Sequence, residues 1–301
     1  MSPVRRGGVT FSIIARDRSG SFGVGVASHW FNVGRFTAWV RFGAGAVATQ
    51  ALTDTAYGWK GLDLMGAGVP ADVALRALLE SDDDADRRQV GFIDAAGRVA
   101  VHTGVRCVEA AGHIVGEGWA VLGNLLVGRE VLKSMAAAFV SSQGELGERL
   151  VETLDAGRRA GGDLRGEQSA AVRVVPPEEE VGEDAGVEVL VADHPNPIGE
   201  LARLVEIDRA YRLLRRGQKA LIAGDWESAA TWFQSITTSD GLPELEFWRA
   251  LGLWGAGQRE EATRILKEVF SAAPEFVEVL ARLSPVDEVA ARVRTELGFC
   301  S

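Results

Sequence analysis

Along its first two hundred residues the chain alternates short apolar runs with turn residues. Thr10-Phe-Ser-Ile-Ile-Ala-Arg-Asp17 predicts a strand, Arg18-Ser-Gly-Ser21 a turn and Phe22-Gly-Val-Gly-Val-Ala-Ser28 a second strand, so this stretch reads as a hairpin. Gly43-Ala-Gly-Ala-Val-Ala-Thr-Gln-Ala51 predicts a third strand, built almost wholly of small residues. Between positions 57 and 81, Leu62, Met65, Val73, Leu75, Leu78 and Leu79 recur at helical spacing, with Pro70 at a helix start. Two apolar runs, 88–94 and 98–103, flank Ala95-Ala-Gly97 and predict another hairpin. A further strand pair is expected around 105–123, helices over 128–142 and 145–160, and strands over 169–175 and 187–192. Residues 176–186 predict an acidic loop. Strands that arrive as hairpins form mostly antiparallel sheets, and the helices must cover sheet faces.

From about residue 199 the pattern turns helical. Gly224-Asp-Trp-Glu-Ser-Ala-Ala-Thr-Trp-Phe233 aligns with Gly257-Gln-Arg-Glu-Glu-Ala-Thr-Arg-Ile-Leu266, an offset of 33 residues (257 − 224). That is close to the tetratricopeptide period of about 34 residues. Ala229 and Ala262 take the small position where paired helices touch, and Pro274 follows the second unit. Two such units are fewer than a free-standing solenoid needs, so they are expected to lean on the first domain or on a partner. Glycine divides the chain in the same way: of 36 in all, 29 precede residue 201 and seven follow. The expected organisation is one domain over 1–200 and a helical domain over 201–301.

The formal net charge of −10 and the absence of a basic stripe argue against nucleic acid as the main partner. No run of 18 apolar residues is present, so no membrane span is expected, and the N-terminal segment lacks a signal-type apolar core. Cys107 and Cys300 are too few and too far apart to staple the fold, and the default is reduced thiols in a cytoplasmic protein. Gly43-Ala-Gly-Ala-Val-Ala48 imitates a dinucleotide fingerprint, but the following residues favour extended chain over a helix. The histidines, His29, His102, His113 and His194, form no metal-ligand spacing, and neither a metal nor a cofactor is expected. Trp226, Trp232, Trp248 and Trp254 cluster in the helical region, where they serve either as packing between helices or as an exposed aromatic groove.

The strongest chemical lead is Thr10. It opens a strand, with a hairpin of small residues and a small-residue third strand following. A threonine hydroxyl needs a base to become a nucleophile. When threonine is the first residue its own α-amine serves, with a pKa of roughly 7.7–8.0.

The segments Thr10-Phe-Ser-Ile-Ile-Ala-Arg-Asp, Gly23-Val-Gly-Val-Ala-Ser, Gly45-Ala-Val-Ala-Thr-Gln-Ala51, Gly123-Asn124, Gly162-Asp-Leu-Arg-Gly-Glu-Gln-Ser-Ala170 and Asp193-His-Pro-Asn-Pro197 resemble the DUF1028 family. That resemblance implies the Ntn-hydrolase superfamily and an α+β fold: a four-layer αββα sandwich, here followed by a small all-α, TPR-like domain. The tail resembles a C-terminal domain of some members that is labelled peptidoglycan-binding. The resemblance has no assigned reaction behind it. The expected reaction is hydrolysis of a linear or cyclic amide of a small molecule, with Thr10 as nucleophile. Asn124 is expected to stabilise an oxyanion, and Asp163, Arg165 and Ser169 to hold the amine and orient the threonine. Ser28, His29, Thr49, Gln50 and Gln168 are expected to position the substrate. The rival reading is a non-catalytic module whose tail recruits a peptide, protein or peptidoglycan fragment. An incomplete repeat array tends to find a neighbour, so a homo-oligomer is expected.

Many family members begin Met-Thr, whereas nine residues precede Thr10 here. Three explanations compete: autocatalytic cleavage at Val9–Thr10, persistence of the extension with no free amine, and a true start at Val9. A GTG codon read as methionine at Val9 gives Met-Thr-Phe-Ser. This third explanation is the expectation, because residues 1–8 carry no structural pattern.

Overall fold

A computed structural model describes residues 10–176, 186–237 and 241–298. The residues before Thr10, and most of the predicted acidic loop, lie outside the described residues. Two compact units divide between Val205 and Glu206.

The first unit opens with the predicted hairpin, β1 (Thr10–Arg16) and β2 (Phe22–Ser28). A short helix α1 (Gly34–Thr37) and a strand β3 (Ala38–Arg41) follow, and neither is legible in the sequence. β3 has only four residues, too few to show alternation, and exists through its antiparallel pairing with β4 (Gly45–Ala51). The helical stretch that follows is two helices, α2 (Ala56–Gly66) and α3 (Ala71–Glu80), with Pro70 at the N-cap of the second. Next come β5 (Arg88–Asp94), β6 (Val99–Thr103), β7 (Gly112–Gly116) and β8 (Trp119–Asn124). Helices α4 (Glu130–Ser141) and α5 (Leu146–Arg159) precede β9 (Ser169–Val175) and β10 (Val187–Val191). A capping box between Glu145 and Glu148 starts α5.

These strands form two antiparallel sheets, so the fold is mixed α+β. The six-stranded sheet runs β10-β9-β2-β1-β8-β7 and the four-stranded sheet β3-β4-β5-β6. Strand parity sorts the side chains into layers. Phe11 and Ile13 of β1 pack with Met135 of α4 and Leu150 and Leu154 of α5. Ile14, Val24 and Val26 meet Ala46, Ala48 and Ile93 between the sheets. Val47, Val90 and Phe92 face Tyr57, Leu62 and Met65 of α2 and Leu75 of α3. Small residues between the sheets bring the backbones close. Within the four-stranded sheet, Gly45 of β4 lies at φ +136°, and a Cβ there would sit 1.9 Å from the carbonyl oxygen of Ile93 on neighbouring β5, so only glycine fits.

Helix α6 (Pro197–Ile222) carries the chain across the division between units. The second unit is a helical region, continuing with α7 (Trp226–Gln234), α8 (Pro243–Gly255), α9 (Arg259–Ala272), α10 (Glu275–Leu283) and α11 (Glu288–Glu296). Its core gathers Phe233, Phe247, Leu253, Leu266 and Leu280 around Ala229 and Ala262. Among the described residues no helix is long and apolar enough to cross a membrane.

Candidate active site

One end of the space between the sheets is polar. Parity places Thr10 and Ser12 of β1 on the same face as Ile14, directed at the four-stranded sheet. The same rule brings Ser28 of β2, Asn124 of β8 and Ser169 of β9 to that face, since each shares parity with an inter-sheet residue of its strand: Val26, Leu122 and Ala171. From the opposite sheet come Gln50 of β4 and Gln89 of β5, which share parity with Ala48 and Ile93. The register fixes the neighbours: Thr10 pairs with Ser28 on one side and Asn124 on the other, Ser28 pairs with Ser169, and Gln50 pairs with Gln89.

All seven side chains are buried, and each is hydrogen-bonded. The Thr10 hydroxyl donates to Ser28 Oγ at 3.3 Å, and that oxygen also accepts from the Trp30 N–H at 3.1 Å. Ser12 donates to Gln50 Oε1 at 2.7 Å. Gln50 Nε2 donates to Gln89 Oε1 at 2.8 Å and to the Thr10 carbonyl at 3.3 Å. Asn124 Nδ2 donates to the same Gln89 oxygen at 3.0 Å. Gln89 Nε2 lies within 3.0 Å of Thr103 Oγ1 and of the Gly112 and Gly123 carbonyls, which settles which way its amide points. Ser169 Oγ donates to the Trp30 carbonyl at 2.5 Å and accepts from the Val33 N–H at 3.0 Å. The cluster carries no charge, so its burial requires hydrogen bonds but no counter-ion.

Charge lies just beyond it. The buried Asp163 carboxylate accepts from the backbone N–H of His29 and from both the backbone and guanidinium of Arg165. Glu167 accepts from the Asp163 N–H, and burial pushes its carboxyl above the ordinary range. Gln168 bonds Ser28 through its backbone N–H and Asp193 through its side chain. Of the residues expected at the site, Thr10, Ser28, Gln50, Asn124 and Ser169 are thus gathered in the cluster. Asp163, Arg165 and Gln168 form a flank tied to the end of β2. His29 joins by its backbone, and its side chain is exposed. Thr49 is not brought in: its hydroxyl turns to the helix-covered face of β4 and donates to the Asp54 carbonyl at 3.0 Å. Ser12 and Gln89 escaped the sequence reading, although both break an apolar strand at an inward parity position.

Backbone strain concentrates at the same end. The non-glycine residues at positive φ among those described are Asn32 (53°), Ala51 (67°) and Leu125 (48°). Ala51 follows Gln50, Leu125 follows Asn124, and Asn32 lies in the loop after Ser28. Each such residue costs about 1 kcal/mol or more and persists only where its surroundings hold it. Leu125 is held by Val108 and Leu164, and Asn32 by Ala192. Next to Ala51, the Leu52 carbonyl accepts from Arg88 at 2.6 Å. Arg88 is in turn forked on Asp82, at 2.7 and 3.2 Å, and Tyr57 also donates to Asp82 at 2.9 Å. The Arg88 guanidinium holds the Asp82 carboxyl down at about 2, while burial and then Asp82 push the Tyr57 phenol above its usual range. Among the described residues no group of three or more His, Cys, Asp or Glu is placed to hold a metal.

The model of a family described as a family of unknown function, DUF1028, matches residues 10–201, well over half of the chain. The chain belongs to the DUF1028 family. Its match begins at Thr10 itself. This DUF1028 chain is also similar to protein SPO2555 from Silicibacter pomeroyi, a crystal structure that carries the same family name. The two are 30% identical with a TM-score of 0.61, and the match covers 66% of this chain and 88% of that one. None of the curated proteins matches.

Proposed function

We propose that this DUF1028 chain is an N-terminal-nucleophile hydrolase of a small-molecule amide, linear or cyclic, with Thr10 as nucleophile. The observation that carries this reading is the position of Thr10. It starts a central strand, between Ser28 and Asn124, in a neutral buried polar cluster bordered by strained backbone. The start of the family match at the same residue supports it. So does the stacking of two helices, two antiparallel sheets and two more helices, which is the layering we assign to the Ntn-hydrolase class.

In the working form the chain begins at Thr10. The α-amine takes the proton from Oγ1, and Oγ1 attacks the substrate carbonyl carbon. The tetrahedral oxyanion takes a hydrogen bond from Asn124, whose amide carries two N–H groups and gives one to Gln89. The protonated amine passes its proton to the leaving nitrogen as the C–N bond breaks. The ester left on Thr10 is then cleaved by water. Ser28 orients the hydroxyl, and Gln50 holds the Thr10 carbonyl. Arg165, paired with Asp163, stands at the flank where substrate enters. We read the helical region as TPR-like: Gly224 and Gly257 take matching left-handed conformations, at 77° and 85°, and Ala229 and Ala262 are fully buried.

The test is a chain produced to begin at Thr10, screened against an amide library alongside Thr10→Ala. Turnover is expected to fall by about a thousandfold or more in the variant. A β-lactone probe should add its acyl mass to Thr10 in the parent only. Turnover surviving in Thr10→Ala, or equal turnover in a chain that retains residues 1–9, overturns the mechanism.

A further inference from the structure

We propose that Gln89 is a positioning residue for the reaction: it fixes which way the Asn124 amide faces, so that an N–H rather than an oxygen meets the oxyanion. This rests on the reading of Thr10 as nucleophile and Asn124 as oxyanion donor.

An asparagine amide fits one socket two ways round, with nearly the same shape and opposite hydrogen bonding. As it stands, the nitrogen beside Gln89 carries a second N–H for the substrate. Turned over, an oxygen would stand there and repel an oxyanion. Backbone carbonyls decide between the two, because a carbonyl only accepts. Gln89 Nε2 lies 2.9 Å from the Gly112 carbonyl oxygen and 2.8 Å from that of Gly123. A turned-over Gln89 would set its own oxygen against both. Its Oε1 is therefore held toward Asn124, and it accepts from Asn124 Nδ2 at 3.0 Å. A turned-over Asn124 would in turn set Oδ1 against that oxygen. Gln89 and Asn124 are 0% and 2% exposed, so a misplaced lone pair has no bulk water to answer it.

The dependence is specific to Asn124. Gln50 also donates to Gln89 Oε1, at 2.8 Å, but it has a carbonyl anchor of its own, that of Thr10 at 3.3 Å. Among the described residues the Asn124 side chain has Gln89 as its hydrogen-bond partner and no backbone anchor. The direction set by the Gly112 and Gly123 carbonyls thus reaches Asn124 through Gln89.

The test is acylation of Thr10 by a β-lactone, in the chain beginning at Thr10, read as a saturated rate and a half-saturating concentration. Asn124→Ala should slow the saturated rate about a hundredfold. Gln89→Leu should slow it about tenfold or more and leave the half-saturating concentration unchanged, because the oxyanion exists only beyond the ground state. In the Asn124→Ala background Gln89→Leu should cost less than about twofold more, since nothing is left to position. A merely structural loss would appear in both backgrounds. Gln89→Asn keeps an amide for the two carbonyls but is one methylene too short to meet Asn124 as well. It should follow the same pattern, and it answers where Gln89→Leu does not fold. An unchanged saturated rate in the Gln89 variants, or a tenfold loss that persists without Asn124, overturns the proposal alone. A parent chain that takes up no probe overturns the Thr10 reading and the proposal with it.

Discussion

The polar end of the layered unit and the core of the helical unit bury polar groups in opposite ways. In the first, six of the seven neutral side chains answer one another, Ser169 is satisfied by backbone, and Gln89 alone joins Gln50, Asn124 and two backbone carbonyls. In the second, Trp254 Nε1 is enclosed without an acceptor. The difference is geometric. A strand sends every second side chain to one face, so two stacked sheets can bring several short polar groups to one spot in register. Packed helices send each side chain in its own direction, and a lone donor meets hydrocarbon. The first arrangement is complete in itself, which suits a preorganised site. The second leaves one donor unanswered inside packed helices.

The sharpest break of this comparison comes from deleting the shared partner. Gln89→Leu leaves the Gln50 and Asn124 amides and the Gly112 and Gly123 carbonyls short of a bond, and is expected to cost about 3–5 kcal/mol in urea unfolding. Trp254→Phe removes a donor that has nothing to lose and is expected to cost about 1 kcal/mol or less, from lost volume alone. Equal losses in the two variants would erase the distinction between the units.

Glycine offers a second contrast. Gly45→Ala places a methyl group against the Ile93 carbonyl, and about 3 kcal/mol or more of stability should disappear. Gly224 is also left-handed, at 77°, but a Cβ there meets nothing within 4 Å, so Gly224→Ala should cost only about 1 kcal/mol. A Gly45→Ala loss no larger than that of Gly224→Ala would mean that β4 and β5 can part at this point without penalty.

Acid separates the units further. Asp82 titrates at about 2 in the fold against 3.8 as its ordinary value, because Arg88 is forked on it. A depressed carboxylate stabilises the fold above its ordinary pKa and loses that contribution as pH falls through the folded one. Stability worth about 1–2 kcal/mol should therefore fade between pH 4 and pH 2 in the parent chain. Asp82→Asn should flatten that dependence, and a parent slope unchanged by the substitution would refute the assignment. The smallest effect belongs to the helical surface. Arg282 and Glu278 pair at 2.8 Å but are 79% and 64% exposed, so Arg282→Ala should shift stability by less than about 0.5 kcal/mol.

Much of this was legible in the amino-acid order. The β1–β2 hairpin, the small-residue β4 and the 95–97 turn all read from alternation and turn residues, because those signals are local. Thr10, Ser28, Gln50, Asn124 and Ser169 could be named because each stands at a strand end. The strand β3 could not be read, since four residues owe their extended form to the neighbour they pair with. Nor could Gln89, a polar residue inside an apolar strand, whose value depends on which residues face it from the other sheet.

By itself, then, the sequence determined most of the elements, though not α1 or β3, together with the antiparallel pairing of neighbours and the change of character near residue 200, because period, turn chemistry and composition act over a few residues. Only the tertiary structure decided that Gln50 and Gln89 meet Thr10 while Thr49 turns away. It likewise decided that Arg88 braces the loop beyond Ala51, and that Trp254 is left without an acceptor. Those outcomes rest on sheet stacking and helix packing, which join residues tens of positions apart and leave no local trace.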